Sequence, residues 1–265
     1  MMNFKISKLR AVRCSLMIDI HSHILPGLDD GSKSWEMTLE MCRQAIEDGI
    51  THIVATPHAS ESYSYDRDRV REAIVELDRL IGDQIAFSIG CDLHLSYDNI
   101  EDAIAHPQRY TIAAKGYLLV ELSDYGIPPH IGDCFFRLQS VGITPIITHP
   151  ERNTILQRRP EQILEWVTAA CLVQVTASAV TGFWGDTAQE IAMWLLERNA
   201  LHVLATDAHD HKHRKPILSE ARSAVSRRFG ADVARALVLD NPAAIVSGRP
   251  LPSTADRDDL RRRTN

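Results

Sequence analysis

The sequence lacks an apolar segment that could anchor or export the chain. No apolar run approaches the roughly 20 residues that a membrane-spanning helix needs. The first sixteen residues carry basic side chains without the apolar stretch of a signal peptide. We expect residues 1–16 to be a dispensable extension, with Met17 as a candidate natural start, and residues 253–265 to be a polar tail. The chain is therefore predicted not to insert into a membrane.

Cysteine is scarce, and a strongly basic surface is missing. The five cysteines are scattered, odd in number and never arranged as CxxC, which argues against a disulfide framework or a cysteine-based zinc site. This usage favours a reducing compartment, so the protein is predicted to be cytoplasmic. The formal net charge of -6, without a basic stripe, argues against nucleic acid as a partner.

Seven short apolar runs, each rich in Ile, Val and Leu, predict buried strands. They span residues 17–23, 52–58, 86–92, 117–121, 144–149, 171–176 and 202–207. Helical patterns lie between them at 34–48, 66–80, 129–141, 160–170, 187–198 and 219–229. Such alternation implies parallel strands with right-handed crossovers, which makes the fold class α/β. We expect one domain at 17–252 that forms a closed or nearly closed β/α barrel; a doubly wound open sheet is the alternative.

Most of the predicted strands end in histidine or a carboxylate. His21 and His23 lie two residues apart on a strand and therefore point to the same face, and Asp207 and His209 repeat this spacing. The other candidates are Asp30, in the loop after the first strand, and His58, Asp92, Glu121 and His149, at later strand ends. Since reactive residues gather at the carboxyl ends of parallel strands, we expect all nine at one barrel mouth. Taken singly, each has a structural explanation, such as a histidine bonded to backbone carbonyls or a solvated Asp-Gly turn.

Together, the nine side chains predict a metal centre. Carboxylates and imidazoles that are buried next to one another carry a large desolvation cost. Divalent cations remove this cost because they neutralise the charge. Nine ligands are too many for one ion and suit two or three, and a mixed His/carboxylate shell suits zinc, manganese or iron. Arg152 follows His149 and Arg214 follows His209. A planar guanidinium binds phosphate well, although a surface arginine is the alternative for each.

A side-chain nucleophile is not indicated. The sequence contains no GxxxxGK(S/T) loop, no GxSxG elbow and no CxxxxxR phosphatase loop. The nucleophile of a phosphoesterase built on this chain is therefore expected to be metal-bound water.

The motifs resemble those of the PHP-type bacterial tyrosine-protein phosphatases associated with capsule and exopolysaccharide synthesis. Residues 19–31, DIHSHILPGLDDG, look like the opening signature of that family. ATPH at 55–58, THPER at 148–152 and TDAH at 206–209 match later signatures in order, and the resemblance covers about residues 17–250.

This resemblance implies a distorted (β/α)7 barrel with a trinuclear centre, most often of manganese. It implies the ligands His21, His23, Asp30, His58, Glu121, His149, Asp207 and His209, and it places Arg152 and Arg214 near the phosphate. It also implies hydrolysis of protein phosphotyrosine through a metal-bridging hydroxide, with the tail of a bacterial tyrosine kinase as the partner.

Two positions depart from the family pattern. The third strand of such proteins usually ends Gly-x-Glu, with the glutamate bridging two metals, whereas Asp92 stands here. Aspartate is one methylene shorter, so bridging would continue with altered spacing or with a weaker second metal; His94, two residues on, could compensate. Ala59 replaces the second histidine of a common Thr-Pro-His-His motif, which would affect substrate contacts more than the metals.

Three other functions stay open. A small-molecule phosphatase, such as a histidinol phosphatase, would use the same centre. An amidohydrolase on a similar barrel would commonly need a carbamylated lysine where Glu121 ends the fourth strand, and Lys115 precedes that strand. The third alternative is a binding protein that keeps the fold but has lost activity, and the one substitution that favours it is Asp92.

Overall fold

The computed structural model describes residues 16–252, whose strands form two parallel sheets. The strands are β1 (Met17–Ser22), β2 (Ile50–Ala55), β3 (His58–Ala59), β4 (Ala86–Ile89), β5 (Asp92–His94), β6 (Tyr117–Glu121), β7 (Thr144–Thr148), β8 (Leu172–Thr176) and β9 (Val203–Ala205). One sheet has the order β1-β2-β4, and the other has the order β3-β5-β6-β7-β8-β9. The extension predicted at 1–16 (apart from Leu16) and the tail predicted at 253–265 lie outside the described residues.

The two sheets join because two barrel positions are each split into a pair of short strands. β2 and β3 are separated by Thr56 and Pro57, and β4 and β5 by Gly90 and Cys91. Pro57 has no N–H to donate to the ladder, but its carbonyl accepts from Asp92 N at 3.2 Å. Gly90 N donates to the Ala55 carbonyl at 2.9 Å, so pairing continues across both breaks. The strands predicted at 52–58 and 86–92 are therefore interrupted, and the nine strands fill seven barrel positions.

The barrel closes between its first and last strands. Ser22 forms a parallel bridge with Ala208. Beside it, His23 N donates to the Ala208 carbonyl and Asp207 N donates to the His21 carbonyl, each at 2.8 Å. These bonds exclude the open doubly wound sheet and confirm the predicted α/β barrel.

Helices follow the strands around the outside. They are α1 (Trp35–Asp48), α2 (Arg67–Ile81), α3 (Tyr97–Ala105), α4 (Pro107–Tyr110), α5 (Ile131–Ser140), α6 (Glu161–Thr168), α7 (Ala177–Val180), α8 (Asp186–Glu197), α9 (Ser219–Phe229), α10 (Ala231–Arg235) and α11 (Asn241–Ser247). Short 3-10 turns occur at Ile112–Ala114 and Leu156–Arg158, and a π-helical turn at Ala236–Asp240. Within residues 16–252, no helix combines the length and the hydropathy that crossing a bilayer requires.

The six predicted helices are present, with ends within two residues of the predicted ones. The first shows why its limits could be read from the sequence. Ser34 accepts the N–H of Met37 at 3.3 Å as an N-cap, and Gly49 ends the helix in the left-handed region at φ 94°. The helices that were not predicted, α3, α4, α7, α10 and α11, have four to nine residues. Four of them have seven residues or fewer, which gives too few turns for a clear apolar periodicity.

The apolar core is divided by the barrel wall. The larger cluster lies between strands and helices, and the smaller one unites Ile20, Val54, Leu119, Ile146 and Val203 from five different strands. A cluster that joins strands from around the barrel fills its interior. Ile245 of α11 belongs to the same cluster. The barrel interior is thus apolar, while the polar side chains collect at the carboxyl ends of the strands.

Candidate metal centre

The carboxyl ends of the strands bring seven of the nine predicted ligands into three overlapping groups. The groups are His23, Asp30, His58 and His209; His21, His23 and Asp92; and His58, Asp92 and Glu121. Within each group, one N or O atom of every residue lies within 4.8 Å of the others. Overlap through shared residues is the arrangement that neighbouring ions with bridging ligands require.

The first strand carries two imidazoles whose tautomers are fixed by hydrogen-bond acceptors at Nδ1. His21 Nδ1 lies 2.9 Å from Gln174 Oε1, and His23 Nδ1 lies 2.7 Å from Asp29 Oδ2. Because both partners are acceptors, each Nδ1 carries the proton and each neutral ring keeps its lone pair on Nε2. The two Nε2 atoms face each other at 3.2 Å. Two lone pairs aimed at one small space favour a shared cation.

Asp92 lies between two of the groups. Its carboxylate is fully buried, with Oδ2 3.4 Å from His21 Nε2 and 3.3 Å from His58 Nδ1. Among the described residues, neither Asp92 Oδ2 nor His58 Nδ1 has a hydrogen-bond partner, although both atoms are buried. A buried carboxylate oxygen without a donor is costly unless a cation neutralises it. The shorter side chain therefore reaches the position between the two groups.

Asp30 and His209 form the solvent side of the cluster. Asp30 Oδ1 lies 3.4 Å from His58 Nε2 and 3.4 Å from His209 Nε2. The Asp30 side chain is 45% exposed, whereas that of His209 is 8% exposed. His209 Nδ1 lies 3.0 Å from the Asp207 carbonyl, which again leaves Nε2 as the free nitrogen. This side of the centre is accessible from the barrel mouth.

Two predicted ligands lie beside the groups without joining them. Asp207 Oδ1 is 3.3 Å from His23 Nε2, while its Oδ2 accepts from Arg152 Nη2 at 2.5 Å and from Arg214. His149 Nε2 lies 3.7 Å from Glu121 Oε1. Asp207 and His149 have positive φ angles of 51° and 34°, an unusual and strained conformation for non-glycine residues. His94, which was expected to compensate for the shorter carboxylate of Asp92, belongs to none of the three groups formed by the described residues.

The close packing of ionisable side chains in the site shifts their pKa values in opposite directions. Burial alone would lower the pKa of His21, but the carboxylates of Asp92 and Asp207 overcome it and raise the pKa to about 9. Burial, reinforced by Asp92, raises the pKa of Glu121 to about 7. Burial and the neighbouring His23 lower the pKa of His209 to about 4. Opposed shifts within one cluster of side chains are typical of a functional site.

Two arginines and a tryptophan form the wall beside the ligands. Trp184 is fixed by its Nε1, which donates to Ser178 Oγ at 2.9 Å. The guanidinium carbon of Arg152 lies 4.3 Å from the centre of the Trp184 ring, and that of Arg214 lies 5.5 Å from it. The two arginines, Trp184, His149 and Glu121 line a cavity of about 310 Å³. A cavity with two guanidinium groups in its wall, next to the ligand groups, can hold an anion such as phosphate.

Several residues that shape the site were not assigned a role from the sequence. Asp29 orients His23 and also accepts from His58 N at 3.1 Å, and Gln174 orients His21. Gln174 was detectable as the polar residue inside the apolar strand β8, and Asp29 as the acid next to a predicted ligand. Glu151 is fully buried, accepts from Thr176 N at 3.0 Å, and has a pKa that burial raises to about 7. Trp184 lies outside the strands, and no local pattern marked it.

The fold and the ligand groups define a β/α-barrel protein equipped with the side chains of a metal centre. The family described as "Capsular polysaccharide synthesis, CpsB/CapC" matches residues 17–247. The chain therefore belongs to the CpsB/CapC family, which confirms the resemblance drawn from its motifs.

Characterised relatives agree with this assignment. The chain is 33% identical over 221 residues to tyrosine-protein phosphatase YwqE of Bacillus subtilis, a match that covers 82% of this chain and 87% of YwqE. It is 28% identical over 239 residues to tyrosine-protein phosphatase CpsB of Streptococcus pneumoniae, over 87% of this chain and 98% of CpsB. A crystal structure from work on YwqE and CpsB, described there as "unique metal-dependent tyrosine phosphatases", superposes with a TM-score of 0.83. That match has 30% identity and covers 89% of this chain and 96% of the other.

Proposed function

We propose that this chain is a metal-dependent protein-tyrosine phosphatase that acts in the control of capsule or exopolysaccharide synthesis. One observation carries the proposal: three overlapping ligand groups lie beside two guanidinium groups at a single barrel mouth. The tyrosine phosphatase activity named for YwqE and CpsB supports the substrate class.

The ions would be held by all nine side chains at the strand ends. These are His21, His23, Asp30, His58, Asp92, Glu121, His149, Asp207 and His209. Their number suits two or three ions, with Mn²⁺ as the expected metal and iron or zinc as the alternatives. Bound divalent ions would supply an electrophile for the phosphate and would lower the pKa of a water molecule.

The arginines have free donors for the phosphate. Arg152 Nε and Arg214 Nε are buried and have no acceptor among the described residues, although both side chains also donate to Asp207. An unpaired buried N–H is costly, so both donors favour an anionic ligand in the adjoining cavity. Arg152 and Arg214 are therefore proposed to bind the phosphate oxygens and to stabilise the charge that develops on them during transfer.

The leaving group needs little help from the protein. A tyrosine phenolate leaves more readily than an alkoxide, so a side chain that protonates it is less necessary for phosphotyrosine than for phosphoserine. The open cavity between Glu121 and Trp184 leaves room for a substrate that projects from a polypeptide. The proposed substrate is the tyrosine-rich tail of a bacterial tyrosine kinase, met in the cytoplasm.

Elemental analysis combined with kinetics tests this function. After reconstitution with Mn²⁺, we expect two or more ions per chain and faster turnover of a phosphotyrosine peptide than of histidinol phosphate. His149→Gln should lower both metal content and rate. His106→Gln, at an exposed histidine of the α3 end, is the matched control and should change neither.

Two results would contradict the proposal in different ways. A clear preference for histidinol phosphate would indicate a small-molecule phosphatase. Fewer than two ions per chain, together with no hydrolysis of p-nitrophenyl phosphate, would indicate a binding protein.

A further inference from the structure

We propose that a basic groove beside Trp184 binds an acidic side chain of the phosphoprotein, close in sequence to the phosphotyrosine. The inference rests on the proposed function and names a specificity site for it. We use the term basic groove for a cavity of about 280 Å³ whose lining includes Lys212, His213, Lys215, Phe183 and Ser178.

The basic groove adjoins the cavity at the metal ligands. Trp184 and Arg214 line both cavities. A polypeptide with its phosphate against Arg214 therefore has a neighbouring residue within reach of the groove, since an extended chain advances about 3.3 Å per residue. Phe183, which is 56% exposed, stands edge-on to Trp184 and forms an apolar wall for such a chain.

The loop that carries the basic side chains is ordered by its own hydrogen bonds. Asp210 Oδ1 accepts from Lys212 N and His213 N, each at 2.6 Å. His209 N donates to the Arg214 carbonyl at 2.9 Å, which ties the loop to a proposed metal ligand. From outside, Gln44 Nε2 donates to the His211 carbonyl at 2.9 Å. The lysines thus project from a backbone whose position is fixed relative to the centre.

The charge of the groove is unbalanced. Lys212, His213 and Lys215 are exposed, and within residues 16–252 neither lysine forms an ion pair. Among the described residues that line the groove, Glu220 alone is acidic. A local excess of positive charge on a chain of net charge -6 attracts an anionic group. Because each lysine is a flexible point charge, the groove can pair with the carboxylate of an Asp or Glu side chain without a fixed geometry.

Peptide binding tests the groove without depending on hydrolysis. Three peptides would carry the non-hydrolysable phosphonate analogue of phosphotyrosine, flanked by Asp/Glu, by Asn/Gln or by Lys. Binding to the Mn²⁺-loaded protein would be followed by fluorescence anisotropy. We expect the acidic peptide to bind about 3–10-fold more tightly than the neutral one, as two exposed ion pairs allow, and salt to reduce the difference.

Matched variants locate the effect. Lys212→Ala/Lys215→Ala should abolish the preference for the acidic peptide while leaving hydrolysis of p-nitrophenyl phosphate unchanged. Arg71→Ala/Arg79→Ala removes two exposed charges from α2, which packs on another part of the barrel, and should preserve the preference. Lys212→Glu/Lys215→Glu should reverse it in favour of the lysine peptide.

The outcomes separate the two proposals. Equal binding of the three peptides to the wild type, or the same loss in the α2 control, would overturn the groove and leave the phosphatase proposal intact. Failure of all three peptides to bind the metal-loaded protein would overturn both.

Discussion

Asp92 was expected to be shorter than the glutamate at the corresponding position of similar proteins, and its surroundings show where its carboxylate lies. A single oxygen, Oδ2, lies 3.4 Å from His21 Nε2 and 3.3 Å from His58 Nδ1, so it already faces both neighbouring ligand groups. Whether the bridge has altered spacing or a weaker second metal, as the sequence predicted, stays a prediction.

Replacement of Asp92 tests its place between the groups. Asp92→Asn keeps the size but removes the charge, so we expect the loss of at least one bound ion. We also expect kcat to fall by about 100-fold or more, because the loss of a residue that only supports a metal ligand already costs up to about 100-fold. Asp92→Glu should retain the ions. Elemental analysis and p-nitrophenyl phosphate kinetics would measure both variants; full metal content in the Asn variant would contradict the assignment.

The role of Trp184 follows from its contacts, because no sequence motif marks this residue. Its ring supports both arginines of the site, and each stacked cation contributes about 0.5–2 kcal/mol. Trp184→Leu is therefore expected to weaken inhibition by inorganic phosphate by roughly tenfold, while Trp184→Phe keeps part of the effect.

A comparable pair elsewhere provides the control for Trp184. Arg198 lies 4.2 Å from the ring centre of Trp194, on α8. Trp194→Leu should alter stability without changing the inhibition constant for phosphate. Equal inhibition constants in Trp184→Leu and the wild type would show that the arginines are held by other contacts.

At the scale of elements, the loop between β1 and α1 is built around one glycine. An added Cβ at Gly31 would lie 2.1 Å from the carbonyl oxygen of His23 and 2.4 Å from its Cβ. The N–H of Gly31 donates to Asp29 Oδ1 at 2.9 Å, so the same residue supports the acid that orients His23. Close packing of this loop against β1 therefore needs a residue without a side chain.

Two glycine substitutions in this loop should differ in effect. Gly31→Ala is expected to destabilise the fold by about 1–3 kcal/mol through overpacking and to lower metal content, because His23 must move. Gly27→Ala places its Cβ in open space at φ 68° and should cost only about 1 kcal/mol, with full metal content. Urea unfolding and elemental analysis would compare them; matching metal content in both variants would argue against the role of Gly31.

The sequence predicted the limits of a helix or strand best where the spacing of its apolar residues is regular. The predicted α2 at 66–80 and α5 at 129–141 have clear apolar periodicity, and the structure has them at Arg67–Ile81 and Ile131–Ser140. The breaks at Pro57 and Gly90 lay inside apolar runs and were read as continuous strand. For the site, the strand-end positions led to the candidate ligands, but Trp184 reaches the site from a loop whose path depends on tertiary packing.

At the scale of the whole molecule, metal binding should couple to stability. Ions that bind the folded barrel and not the unfolded chain stabilise it by about 2.7 kcal/mol at one hundred times the dissociation constant. We expect removal of metal with a chelator to lower Tm by roughly 5–10 °C, and addition of Mn²⁺ to restore it. Differential scanning calorimetry would measure the shift, and Mg²⁺ at the same concentration would control for ionic strength.

The pH dependence of metal affinity follows from two histidines. Burial would lower the pKa of both, but nearby carboxylates raise that of His21 to about 9 and that of His58 to about 11. In the metal-free protein, both rings thus contribute stability below pH 6.5 that is lost as the pH rises through these values. Metals require the neutral rings, so affinity for Mn²⁺ should rise between pH 6 and 9 by about tenfold per pH unit for each proton displaced. A pH-independent dissociation constant would contradict this.

The closure of the barrel has a consequence for the order of events during synthesis. Asp19 accepts from Thr206 N at 2.9 Å, and His23 and Asp207 belong to the hydrogen-bonded junction of β1 with the chain that follows β9. Partners separated by 187 residues must therefore meet before the ligands of the first strand are in place. A ribosome-bound chain that stops short of residue 209 carries the opening signature without the residues that complete it. Metal retention is therefore expected only in chains that extend beyond residue 209 and have paired β1 with the segment after β9.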